Sequence, residues 1–115
     1  MSLSRPIKAA LETAKSSDHT GAGASFAVLG SSLANAASAM VITSTFDTSV
    51  WLSTDDTNEQ LLIPSGASLV IDVGGNKQQI SSLAFAIGTQ FYLKQGPDGA
   101  PSSGDIALTP IFAER

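Results

Sequence analysis

Cysteine is absent from the 115 residues, which removes disulfides, thiolate catalysis and cysteine-based zinc sites together. Histidine occurs once, as His19. It sits in a Ser-, Gly- and Ala-rich stretch where a Ser-His-Asp relay would lack the orientation that proton transfer needs. Lys and Arg number six against ten Asp and Glu, for a formal charge of −4. No basic stripe is left to neutralise phosphates, so nucleic-acid binding is not expected. Apolar runs are interrupted by Ser, Thr, Asn or Gly well before the roughly 20 residues that cross a bilayer as a helix. The opening MSLSRPIKAALETAK has no continuous apolar core of the kind a secretory signal carries, so synthesis and assembly in a cytoplasm are the expectation. Charge of either sign is scarce, at 14% of residues where soluble domains carry roughly 25%. A surface of Ser, Thr, Gly, Gln and Ala tolerates close packing, whereas a lone soluble protein keeps charge for colloidal stability. A lasting assembly partner is therefore predicted.

What is present is a chain of short apolar runs separated by turn formers. The length suits one domain, because a second core would be starved at this size. The stretch VWLSTDDTNEQLLIPSGASLVID, Val50 to Asp72, holds three such runs: Val50-Trp51-Leu52, Leu61-Leu62-Ile63 and Leu69-Val70-Ile71. Asp55-Asp56-Thr57-Asn58 and Pro64-Ser65-Gly66 separate them, and this spacing suits consecutive antiparallel strands while leaving no room for an ordinary helix. Further strands are expected at Ser25–Leu29, Met40–Thr45, Leu83–Ile87 and Phe91–Lys94, with a final one carrying Ile106, Leu108 and Phe112. Met40–Thr45 and Val50–Ser53 are expected to pair as a hairpin through Asp47-Thr48-Ser49. Lys77–Ser82 reads as an edge or linking strand, and Pro110 argues for an edge position or a bulge in the last strand. Seven to nine strands predict an all-β fold, a single antiparallel sandwich of jelly-roll type.

Residues 1–24 differ from the rest and predict an extended N-terminal arm ahead of a sandwich over 25–115 that folds without it. Arg5, Lys8 and Lys15 are three of the six basic residues. Ile7, Ala10, Leu11 and Ala14 stand at helical spacing after Pro6, which allows a short amphipathic turn, and the Ser16–Ala24 stretch reads as a linker. Arg5, Ile7, Lys8, Leu11 and Lys15 are the candidate interface residues, on the reading that the arm orders on a neighbouring subunit. The competing reading is a frayed terminus.

Several groups invite a chemical reading. Asp55, Asp56, Asn58 and Glu59 could offer oxygens to a hard cation, but DDTNE lacks the spacing and Gly of a calcium loop, and turn formation is favoured. Gly74-Gly75-Asn76 and Gly96-Pro97-Asp98-Gly99 lack the helix start that a phosphate loop needs and read as turns. Trp51 and Tyr92 could stack on a sugar ring, against the commoner fate of a Trp buried in a small sandwich. No catalytic residue, metal or cofactor is predicted, and an enzyme is not expected.

The order Phe26-x-x-Leu29-Gly30, Val41-Ile42-x-Ser44-Thr45, Val50-Trp51-Leu52-Ser53-x-Asp55, Ile63-Pro64-x-Gly66, Leu69-x-x-Asp72, Gly88-Thr89-Gln90-x-Tyr92-x-Lys94-Gln95 and Ala100-Pro101-x-Ser103-Gly104 resembles that of small β-rich structural proteins of tailed bacteriophages. The likeness covers nearly all the chain after the arm and rests largely on turn formers and strand hydrophobics. It implies a virion protein without catalytic residues. The expectation is a head decoration or cement protein, partnered with the major capsid protein or other virion proteins and acting as a homo-oligomer. The alternatives are a tail or neck adaptor or fibre-associated module, and a glycan-binding module for adsorption to the host.

Overall fold

The β-branched run from Met40 shows how the sequence makes this fold. In the computed structural model, which describes residues 8–73 and 84–114, Met40, Ile42 and Ser44 are buried while Val41 is half-buried and Thr43 exposed. That period of two marks a strand with one face on a core. The described residues form nine strands: β1 (Lys8–Leu11), β2 (Lys15–Asp18), β3 (Ala27–Leu29), β4 (Ala37–Ser44), β5 (Val50–Ser53), β6 (Leu61–Ile63), β7 (Ser68–Asp72), β8 (Phe91–Gln95) and β9 (Asp105–Glu114). Among the described residues there is no α-helix, only a 3-10 turn at His19–Gly21 capped by the Asp18 side chain.

Two antiparallel sheets divide the strands. One runs β1-β9-β4-β7, with β2 also on β9, and the other runs β3-β8-β5-β6. Ile42, Ile106 and Leu108 from the first sheet and Leu52, Phe91 and Leu93 from the second are all buried in one continuous core, as a two-layer sandwich requires. Phe85 and Phe91 meet edge-on with ring centroids 5.9 Å apart, an arrangement the ring quadrupoles favour.

β4 and β5 do not form the expected hairpin. β4 pairs with β7 and β9, and β5 with β6 and β8, so Asp47-Thr48-Ser49 carries the chain from one sheet to the other. The corner is held by side chains: Phe46 is buried, and Asp47 accepts from the Ser102 N–H (2.9 Å) and hydroxyl. Gly104 completes it. Its φ of +99° suits glycine, and an added Cβ would fall 2.2 Å from the Thr45 carbonyl oxygen. Of the three runs in Val50–Asp72, the first two pair directly, whereas the third crosses to the opposite sheet.

Pro110 lies in a central strand, not at an edge. β9 has β4 on one side and β1 and β2 on the other. The Pro110 carbonyl accepts from the Glu12 N–H at 3.0 Å, so the proline nitrogen, which shares that side of the strand, faces the break between β1 and β2. A missing donor costs nothing in a break. The bulge sits instead in β4, where the register shifts between Ala37 and Ala39. The strand expected at Leu83–Ile87 is reduced, among described residues, to a single bridge between Phe85 and Ala37. Lys77–Ser82 lies outside the described residues.

Within residues 1–24, Lys8–Leu11 and Lys15–Asp18 are strands of the five-stranded sheet. Ala10 and Leu11 are in β1 instead of a helical turn, Ala14 lies in the break between β1 and β2, and Lys15–Asp18 is β2 where a linker was expected. A short isolated helix is marginal in water, and the open edge of β9 offers this segment a ladder of backbone hydrogen bonds.

Candidate functional surfaces

Three places hold enough chemistry to consider: the outer face of each sheet, and the join between the N-terminal strands and the 31–35 loop. Register fixes which side chains share each face. On the five-stranded sheet, Leu11 stands opposite Ile111, Ile111 opposite Ala39, and Val41 between Thr109 and Val70. Leu11 and Val70 are 69% and 70% exposed. Directly opposed residues point to one side of a sheet, so these side chains form an aliphatic strip on the outside. The described side chains along it are uncharged from Asp18 and Asp105, opposed at one end, to Asp72 beside β4.

On the four-stranded sheet the outer face is aromatic. Trp51 is opposed by Lys94 on one side and Leu62 on the other, while Tyr92 is opposed by Val28 and Ser53. Trp51 and Tyr92 are therefore diagonal neighbours on the same face. Phe26 joins them, with the Lys94 ammonium 5.2 Å from its ring centroid. Lys94 also pairs with Glu59 at 2.8 Å.

Glu59 is brought there by the DDTNE loop. Asp55 Oδ1 accepts from the backbone N–H groups of Thr57 (2.8 Å) and Asn58 (2.7 Å), and Oδ2 from the Asn58 and Gln60 side-chain amides. These bonds make the turn that the sequence favoured. The Asn58 and Thr57 amides hold the Asp55 carboxyl down, from 3.8 to about 2. A carboxyl depressed in the folded chain stabilises it above its unfolded pKa and stops doing so as pH falls through the folded one. The Asp55→Ala chain is thus expected to have a lower urea midpoint than the parent at pH 7. The gap should narrow between pH 4 and pH 2, and a gap constant over that window would show that the loop bonds do not depend on the charge.

The third place concerns the N-terminal candidates. Lys15 lies opposite Leu108 on the inner face of its sheet and is only 4% exposed. Its ammonium reaches Glu12 Oε2 (2.7 Å), the Ser31 hydroxyl (3.2 Å) and the Ser32 carbonyl (3.5 Å). Glu12 in turn accepts from the Ala34 and Asn35 N–H groups and the Asn35 side chain. Burial alone would raise the Glu12 carboxyl; Lys15 and the Ala34 and Asn35 donors outweigh it and hold the pKa below its ordinary value. Lys15 is therefore spent inside the subunit. Leu11 is outward, Lys8 is in β1 opposite Glu114, and Arg5 and Ile7 lie outside the described residues.

A cavity of about 190 Å³ opens between the sheets, lined chiefly by Met40, Leu52, Leu61, Ile71, Phe85 and Phe91. It contains no titratable side chain. His19 is on the 3-10 turn, and no cluster of three or more His, Asp or Glu able to hold a metal ion occurs among the described residues. No described helix is long and apolar enough to cross a membrane. No protein family, curated protein or solved structure matches the chain.

Sequence reasoning selected Trp51 and Tyr92 but not Phe26, Leu62 or Val28 beside them. It missed Glu12 altogether. The aromatic neighbours were hidden because cross-strand register decides them, although the period of two in β5 and β8 already placed Trp51 and Tyr92 away from Leu52 and Leu93.

Proposed function

We propose that the protein is a non-enzymatic structural component of a bacteriophage virion, a decoration or cement protein that bridges capsid subunits on the head. The observation that carries this reading is the aliphatic outer strip of the five-stranded sheet around Leu11, Ile111, Val41 and Val70. Exposed apolar surface of this kind, on a chain with little charge, marks a protein interaction site. The resemblance to small virion proteins supplies the setting.

The sandwich is read as a jelly roll. With β1 and β2 counted as one interrupted strand, the order is first-eighth-third-sixth in one sheet and second-seventh-fourth-fifth in the other, as in two interlocked Greek keys. Viral capsid and lectin domains use that architecture, a fold-level analogy that favours the virion without selecting a site on it. Arg5, Ile7, Lys8 and Leu11 are read as the part of the N-terminal arm that meets a neighbouring subunit, a reading that rests on the sequence for the first three and on the outward placement of Leu11 for the last. Repeated weak contacts made by an oligomer then hold the shell through effective concentration.

Adding the purified chain to particles assembled without it tests the reading. The parent chain is expected to bind. A Leu11→Asp, Val70→Asp chain, altered only at exposed side chains, is expected to fold normally and bind at least about tenfold more weakly, the loss that follows when the apolar centre of an interface is made charged. Equal binding would remove this face from the mechanism, and no binding by the parent would remove the virion. Copy number separates the head, with its many equivalent joints, from a tail or neck adaptor.

A further inference from the structure

The two outer faces differ in chemistry, and the second needs an explanation of its own. Phe26, Trp51 and Tyr92 surround Lys94 on the four-stranded sheet, with Val28 63% and Leu62 38% exposed at the borders. They account for three of the seven aromatic residues, one Trp, one Tyr and five Phe, in the chain. Across the sheet, Lys94, Trp51 and Leu62 stand on the neighbouring strands β8, β5 and β6, a row of about 10 Å at the usual spacing, and Phe26, just ahead of β3, extends it through its ring contact with Lys94.

We propose that this face is a binding platform for an uncharged saccharide. Aromatic rings offer flat apolar area to the C–H faces of sugar rings, and polar groups interleaved with apolar ones fix a ligand's orientation. Lys94 and Glu59 supply a donor and an acceptor for hydroxyls within the row. Charge points to the ligand class. The Lys94 ammonium is matched by Glu59 at 2.8 Å, so the platform has no net charge for a phosphate or an acidic sugar to meet, in a chain of net charge −4. A neutral ligand rich in hydroxyls fits a neutral face with an internal ion pair. The ion pair is positioned by the Asp55 turn, which folds against the end of β5 through Ser53; the loop is thereby fixed before any ligand arrives. Preorganisation of that kind lowers the cost of binding. The site is independent of the aliphatic strip, which lies on the opposite side of the sandwich.

Trp51 is the only Trp in the chain and reports on its own face. The full chain would be applied to an array of neutral and acidic bacterial surface saccharides, and the retained ones titrated while Trp51 emission and its quenching by acrylamide are followed. Retention of neutral saccharides is expected, with a shift in Trp51 emission and protection from quencher. Trp51→Ala and Val28→Arg are each expected to weaken retention at least tenfold. Val28→Arg alters an exposed side chain and keeps the test valid if Trp51→Ala unfolds. Retention of acidic saccharides only, retention unchanged in Val28→Arg, or no retention would overturn the proposal. So would sedimentation showing that the parent self-associates through this face and that Val28→Arg dissociates it. None of these results bears on particle binding through Leu11 and Val70.

Discussion

Replacing Glu12 with alanine in the full chain is expected to lower the unfolding free energy by about 3–5 kcal/mol, the usual cost of stranding one partner of a buried ion pair. The Lys15 side chain, 4% exposed in the parent, would keep only the Ser31 hydroxyl at 3.2 Å and a long contact to the Ser32 carbonyl. The Ala34 and Asn35 amides would lose their acceptor at the same time. Lys15→Met is expected to cost less, because Glu12 would keep those donors and the methionine stem would still pack beside Leu108. The order of the two variants is the sharper part of the prediction. Urea unfolding reads it directly, a loss of this size moving the midpoint by roughly 2 M. The Glu12→Ala, Lys15→Met chain should be more stable than Glu12→Ala alone, since the second change removes the stranded charge. A double variant whose losses simply add would show that the two side chains act separately.

That ion pair also shows where the sequence stops being legible. Lys15 reads in the sequence as an interface residue of an arm, and Glu12 gives no signal at all, because a lysine at an inward strand position is invisible until the partner edge is known. Strand identity was easier. Met40–Thr45 is rich in β-branched residues and Phe91–Lys94 alternates apolar and polar ones, both local signals, and the structure contains β4 and β8 there. Pairing was harder, since the same Asp47-Thr48-Ser49 turn serves a hairpin or a crossing between sheets. What separates the two is burial of Phe46 and the approach of Gly104 to Thr45, contacts between residues far apart in sequence. Pro110 failed as an edge marker for a related reason: its missing N–H faces a break in the neighbouring strand, and that break is a property of residues 12–14. The aromatic platform was half visible, with Trp51 and Tyr92 named by type and their shared face decided by a register that couples β5 to β8.

A chain beginning at Ser25 is expected to lose cooperative unfolding, contrary to what a separable arm would allow. The deletion removes four register pairs between β1 and β9 and four between β2 and β9, uncovering one whole side of a ten-residue strand. It also removes Ala22 from the core, the Gly23 carbonyl that accepts from the Gln95 N–H, and the Glu12–Lys15 network that holds the 31–35 loop. Backbone groups on β9 would then be unpaired beside Ile106, Leu108 and Pro110, all buried in the full chain. An edge of that length and composition pairs with other chains, so self-association and a broad thermal transition are the expected signs, read by size-exclusion chromatography and circular dichroism. A sharp transition near that of the full chain would mean that β1 and β2 add little to the fold. Particle binding by the Ser25 chain cannot therefore measure what the arm contributes, because the fold fails with it. Removal of residues 1–7 alone separates the two: thermal stability close to the parent's, with weakened particle binding, is the outcome expected if Arg5 and Ile7 hold a neighbour, and binding equal to the parent's would take those two residues out of the interface.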